Sequence, residues 1–159
     1  MSNKIQIVAV GKLKEKYLCD AMAEYEKRLS RFCRLGIVEV ADEKNPKGYS
    51  EAETQIALNR EAERILPHLK NSVVITLDAK GLKVNSEQFS RILGEYLEQR
   101  RDVAFVIGSS LGLGKGVIEA SDMRLSMSDM TFPHQLARVI LIEQIYRAFK
   151  IISNEKYHK

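Results

Sequence analysis

The sequence predicts an α/β domain with a mostly parallel sheet and helices on both faces. Three observations carry this. Strand-like and helix-like segments alternate along the whole chain. Residues 103–108 form a continuous apolar run, the pattern of a strand buried on both faces. The segments between strands repeat apolar residues at spacings of three and four, the helical period.

Residues 4–10 read as a strand ending at Gly11. Leu18, Met22, Tyr25, Leu29 and Phe32 then mark one face of a helix. A second strand covers 35–40, and 41–49 is a polar loop with Asn45-Pro46 and Gly48 as turn residues. Ser50 and Glu53 have the spacing of a capping box. The helix behind them carries Ile56, Ala62, Ile65, Leu66 and Leu69 as its stripe. Residues 72–78 form a strand and 79–85 a Gly-containing connection. Ser86 starts a third helix with Phe89, Ile92, Leu93, Tyr96 and Leu97 on one side. The 103–108 strand runs into a Gly-rich loop, a short helix near 117–120 and a short strand at 124–128. Pro133, suited to a first helical turn, opens a long helix reaching about Ile152, and a tail covers 154–159. No repeat or long linker divides the chain, so residues 1–159 are expected to be a single domain.

Composition narrows the function. The 45% hydrophobic and 29% charged fractions are those of a globular protein. Apolar runs fall far short of a bilayer span, and the N-terminus lacks the apolar core of a secretion signal. Cys19 and Cys33 form no Cys-x-x-Cys pair, which excludes a disulfide scaffold and a Cys-rich zinc site. A reducing, cytoplasmic location follows, with both cysteines expected in the core and no membrane partner. The net charge is +4, and its excess lies at the ends. Residues 1–35 hold eight basic and four acidic groups, and residues 127–159 hold five and three, whereas the middle is neutral to acidic. If the ends meet, they form one basic face.

Four stretches could carry chemistry. Gly108, Gly112, Gly114 and Gly116 follow a buried strand, where α/β sheets bind ligands. The loop fails the Walker pattern, because Ser109 stands five residues before Gly114 and Gly116 replaces the Ser/Thr. It fails the dinucleotide pattern at Val117. It is either a ligand loop of another type or a flexible turn. Residues 125–134, Leu-Ser-Met-Ser-Asp-Met-Thr-Phe-Pro-His, offer backbone groups and an apolar wall to a purine-like ring, or simply a helix entry capped near Thr131. In the last helix Val139-Ile-Leu-Ile142 is apolar all round, so either a homodimer interface or complete burial must cover it. Arg138, Glu143 and Arg147 interrupt this helix, and an ion pair explains them as well as a site does. The tail holds Tyr157 and His158. No His or carboxylate set has metal-ligand or hydrolytic-triad spacing, so no metal is expected.

Taken together, Val8-Ala-Val-Gly-Lys-Leu-Lys-Glu-Lys-Tyr17, Phe105-Val-Ile-Gly108, Met130-Thr-Phe-Pro-His-Gln135, Leu141-Ile-Glu-Gln-Ile-Tyr-Arg-Ala-Phe149 and Tyr157-His158 resemble one family over essentially the whole chain. This is the ribosomal RNA large subunit methyltransferase H family of the SPOUT superfamily. The resemblance implies a C-terminal trefoil knot, which connection rules alone would argue against, and dimerisation through it. It implies S-adenosylmethionine as cofactor and N3 of a pseudouridine in 23S rRNA, on the assembled ribosome, as acceptor. Cofactor contacts would fall at Leu77, Gly108, Met127, Ser128, Asp129, Met130, Thr131 and Phe132. His134, Arg147, Tyr157 and His158 would be the catalytic candidates, with Arg138 a weaker one and the tail serving the partner's site. The family usually has a second Gly where this chain has Ser109; if that position needs positive φ, Ser would be strained there. A phosphotransferase using Lys115, or a ribosome-binding protein without catalysis, are the rival expectations.

Overall fold

Near-continuous apolar strands need cover on both faces, and among the described residues five α-helices supply it around one parallel sheet. The computed structural model describes residues 3–44 and 48–158. Its strands are β1 (Lys4–Val10), β2 (Arg34–Val40), β3 (Ser72–Lys83), β4 (Asp102–Ile107) and β5 (Met123–Ser126). They lie in the order β2-β1-β4-β3-β5, every pairing parallel. The helices are α1 (Lys16–Leu29), α2 (Glu51–Ile65), α3 (Ser86–Glu98), α4 (Lys115–Ala120) and α5 (His134–Ile152).

The two-residue strand period sorts the core into two layers. Ile5, Ile7, Val103, Phe105, Val73 and Ile75 pack against α1, α3 and α5. Val8, Val10, Ala104, Val106 and Val74 pack against α2 and α4. The fold is thus the expected parallel sheet with helices on both faces. α5 lies between α1 and α3, so Leu141, Ile142, Ile145, Tyr146, Ala148 and Phe149 are all buried within one chain. The apolar remainder is smaller than the sequence suggests: Leu136 and Ile152 are exposed, and Val139 and Ile140 half-buried.

Several local expectations are corrected. Asn45 and Pro46 lie outside the described residues. The Ser50–Glu53 capping box forms, but Ile56 is exposed rather than part of the α2 stripe. Leu58, Ala62 and Ile65 define that face, and Ile56 sits two residues before Leu58, about 200° round the helix. Most of the expected 79–85 connection is strand. Leu77 and Leu82 both pair with Leu125, so residues 78–81 bulge outward and β3 resumes to Lys83. A strand can resume there only because β5 supplies backbone partners from 43 residues away in sequence, as the pairing of Lys83 with Ser126 shows. β5 ends at Ser126 rather than Ser128, and Pro133 is the N-cap of α5 rather than a first-turn residue. Cys33 is buried as expected, but Cys19 is exposed on the solvent side of α1.

Candidate functional site

The carboxyl ends of β3, β4 and β5 open on a cavity of about 610 Å³. Ligand pockets span roughly 300–1,000 Å³, so this one has room for a cofactor of nucleoside size. Two segments shape it. After β4 the chain turns sharply over 109–112, with Gly112 N–H donating to Ser109 O at 2.9 Å. Gly112 has φ +99°, which a side chain would strain. A Cβ on Gly108 would lie 2.2 Å from Gly112 O, so this turn closes only over glycine. After β5, serines fold the second segment: Ser126 Oγ donates to Ser128 O at 3.2 Å, and Ser128 Oγ accepts from Met130 N–H at 3.0 Å.

Leu77, Gly108, Met127, Ser128, Asp129, Met130, Thr131 and Phe132 all line this one cavity, and so does His134. Distant stretches of sequence thus meet at one place. The wall combines apolar side chains, from Leu77 and Met127 among others, with the polar groups of Ser128 and Thr131. Two carboxylates at the rim are paired. Asp78 accepts from Arg124 Nε at 2.8 Å, and Asp129 pairs with Lys83. Partial burial pushes the Asp78 carboxyl up, but the Lys80 N–H and Arg124 outweigh it and hold the carboxyl below its ordinary value. Asp78 therefore stays ionised and is no acid for catalysis. The uncapped N-terminus of α5 abuts the same space at His134 and Ala137, adding a partial positive charge.

Ser109 is not among the positive-φ residues, so the condition for strain there is not met. Its hydroxyl instead donates to Glu61 Oε1 at 2.8 Å and accepts from Leu111 N–H at 3.3 Å. Glu61, 2% exposed, accepts Glu43 N–H on its other oxygen at 2.9 Å. One buried carboxylate thus ties the glycine turn to the segment after β2. A polar residue inside an amphipathic stripe was the only sequence signal for Glu61, and it was not singled out.

The remaining candidates stand elsewhere. Arg147, Tyr157 and His158 form a cluster that lines no part of the 610 Å³ cavity of their own chain. Arg147 Nε donates to Glu143 at 2.7 Å, and its Cζ lies 4.8 Å from the Tyr157 ring centroid. Arg147 Nη1 lies 3.1 Å from His158 Nδ1. Guanidinium only donates, so that Nδ1 must accept, and His158 carries its proton on Nε2, which faces Glu87 at 3.4 Å. Burial raises the Tyr157 phenol above its ordinary value, with Glu143 and Tyr25 adding to the rise and Arg147 opposing it. Tyr157 therefore stays protonated at neutral pH. The chain ends do meet. Arg31 after α1 pairs with Glu155 of the tail at 2.9 Å, so part of the end charge is spent on an ion pair rather than on an open basic face. Among the described residues, no helix is long and apolar enough to cross a membrane.

A parallel α/β sheet with a nucleoside-sized cavity at its carboxyl edge defines a protein that holds a small organic ligand for chemistry. The chain belongs to the SPOUT methyltransferase family: residues 3–158 match the family model described as "Predicted SPOUT methyltransferase". A protein of Acetivibrio thermocellus named "Ribosomal RNA large subunit methyltransferase H" is 50% identical, covering 98% of this chain and 99% of its own. One of the same name from Clostridium novyi is 52% identical over the same shares, 98% and 99%. Among solved structures, the "Probable Methyltransferase from Bordetella pertussis Tohama I" superimposes with a TM-score of 0.59 at 14% identity, covering 92% of this chain and 94% of that one. That likeness shows the fold alone.

Proposed function

We propose that the protein transfers the methyl group of S-adenosylmethionine to N3 of a pseudouridine in 23S rRNA, on the assembled ribosome in the cytoplasm. The observation that carries this is the convergence of residues 77, 108 and 127–132 on one cavity. Relatives at 50% and 52% identity bear the name of a large-subunit rRNA methyltransferase, which supports the choice of rRNA. Leu77, Gly108 and the 127–132 segment would hold the cofactor, which supplies an electrophilic methyl on a sulfonium.

The chain's own part is placement and proton handling. Backbone groups of the two loops hold the adenosine portion, and Leu77, Met127 and Phe132 keep water from the methyl. Transfer to nitrogen needs in-line approach more than covalent catalysis. The N3–H proton would have to leave in exchange for the methyl group the cofactor would supply from its sulfonium. His134 is at the cavity to take or relay that proton. The Arg147–Tyr157–His158 cluster acts in the cavity of a second copy, across a homodimer built on the C-terminal knot. There Arg147 stabilises the developing imide anion, while Tyr157 donates a hydrogen bond.

The test is transfer of tritiated methyl from S-adenosylmethionine to 70S ribosomes, isolated large subunits and naked rRNA, with the product base identified by mass spectrometry. Methylpseudouridine formed on 70S ribosomes is the expected result. No methyl transfer to any of the three overturns the proposal.

A further inference from the structure

A second cavity, of about 520 Å³, adjoins the first. The two share Ser109, Leu111 and His134, so a single turn and the start of α5 separate them. Its other walls are the segments after β1 and β2, with Lys12, Lys14 and Lys44, and Arg138 of α5. Arg138 is 2% exposed. One Nη donates to Glu39, the other to Gly11 O at 3.2 Å, and Nε is buried without a partner. A buried donor left unpaired is unusual, and a guanidinium cannot shed its proton to escape the cost.

Charge at this cavity is not balanced locally. Lys12, Lys14 and Lys44 are exposed, and no ion pair is found for them among the described residues. Of the two acids that line it, Glu43 is held by Arg60 and Arg64 at 3.2 and 3.0 Å, and only Asp42 opposes the lysines. In-line methyl transfer requires the acceptor to enter a space that touches the donor's. Another cavity also shares a wall with the donor's, at Leu125, Ser126 and Met127. It is about 250 Å³ and has no basic side chain.

We propose that the 520 Å³ cavity receives the acceptor nucleotide of an RNA strand. Lys12 and Lys14 hold the flanking phosphates, Arg138, already paired with Glu39, lines the wall beside them, and the base turns across the shared wall at His134. This rests on the methyl-transfer reading above and adds to it the entry side of the substrate.

The test compares the K12Q/K14Q double variant with a K27Q/K70Q control that removes equal charge from exposed positions elsewhere. Affinity for S-adenosylmethionine by calorimetry should stay within about twofold of wild type in both, while KM for the ribosomal substrate should rise by about tenfold or more in K12Q/K14Q alone. The salt dependence of binding to a 23S rRNA fragment should weaken in the same variant, since lost phosphate contacts release fewer counterions. A K12Q/K14Q enzyme that behaves like the control overturns this inference and leaves the proposed reaction standing. So does one that loses cofactor affinity, because the lysines would then belong to the donor site. A wild type that transfers no methyl overturns the reaction and the acceptor site together.

Discussion

Ser109 shows how one side chain can replace a backbone freedom. Where the resembling family carries a glycine, this chain has a hydroxyl bonded to the buried Glu61, and the turn needs no positive φ there. Arg138 forms an ion pair, one of the two readings its sequence context allowed, but the partner is Glu39 and the guanidinium is buried with its Nε unsatisfied. Cys33 yields a prediction at this scale. Burial pushes its thiol up to about 11 from 9.0. A pKa raised in the folded state gives stability that is present below the unfolded value and lost as pH rises through the folded one. Between pH 9 and 11 the unfolded state binds fewer protons, so this contribution should fall by about 2 kcal/mol. Urea unfolding of wild type and Cys33→Ala across that window should show the gap between them narrowing by about that amount, and a constant gap would refute it.

At the scale of elements, the turn after β4 shapes the 610 Å³ cavity. Gly108→Ala places a Cβ 2.2 Å from the Gly112 carbonyl oxygen, which must move. Calorimetry should show affinity for S-adenosylmethionine falling by about tenfold or more, equivalent to about 1.4 kcal/mol. An unchanged affinity would mean the turn takes no part in binding. The bulge at 78–81 belongs to the same scale. It interrupts the pairing of β3 with β5 and brings Asp78 to Arg124 at the cavity rim. Periodicity found these elements, but not that two of them share a ladder beyond the bulge.

For the whole molecule, the position of α5 between α1 and α3 governs both stability and assembly. The inward side is consumed by the core. The outward side starts with Leu136, 39% exposed, and the half-buried Ile140, one turn on. In the proposed homodimer these would face the second copy, to which the Arg147–Tyr157–His158 cluster would be delivered. Sedimentation should find wild type dimeric, and Leu136→Glu with Ile140→Glu monomeric with unchanged far-UV circular dichroism. A monomeric wild type would overturn the dimer and require the tail cluster to act in its own chain.

Local signals in the sequence determined a great deal. Apolar runs and helical spacings specify the alternation of elements, and the Ser50–Glu53 pair specifies one cap. The Gly-rich loop and residues 125–134 were legible as candidate ligand segments, but a flexible turn and a plain helix entry explained them as well, and only packing brings both to one cavity. Tertiary structure decided what depends on contacts between distant residues. Ile56 faces solvent because the phase of α2 is set by the sheet it covers. Glu61 is a clamp because Ser109 arrives 48 residues later. The lysines after β1 meet Arg138 only because parallel pairing brings all carboxyl ends to one edge. Side-chain period is a property of one segment and can be read along the chain, whereas a cavity is a property of several segments and exists only once they are packed.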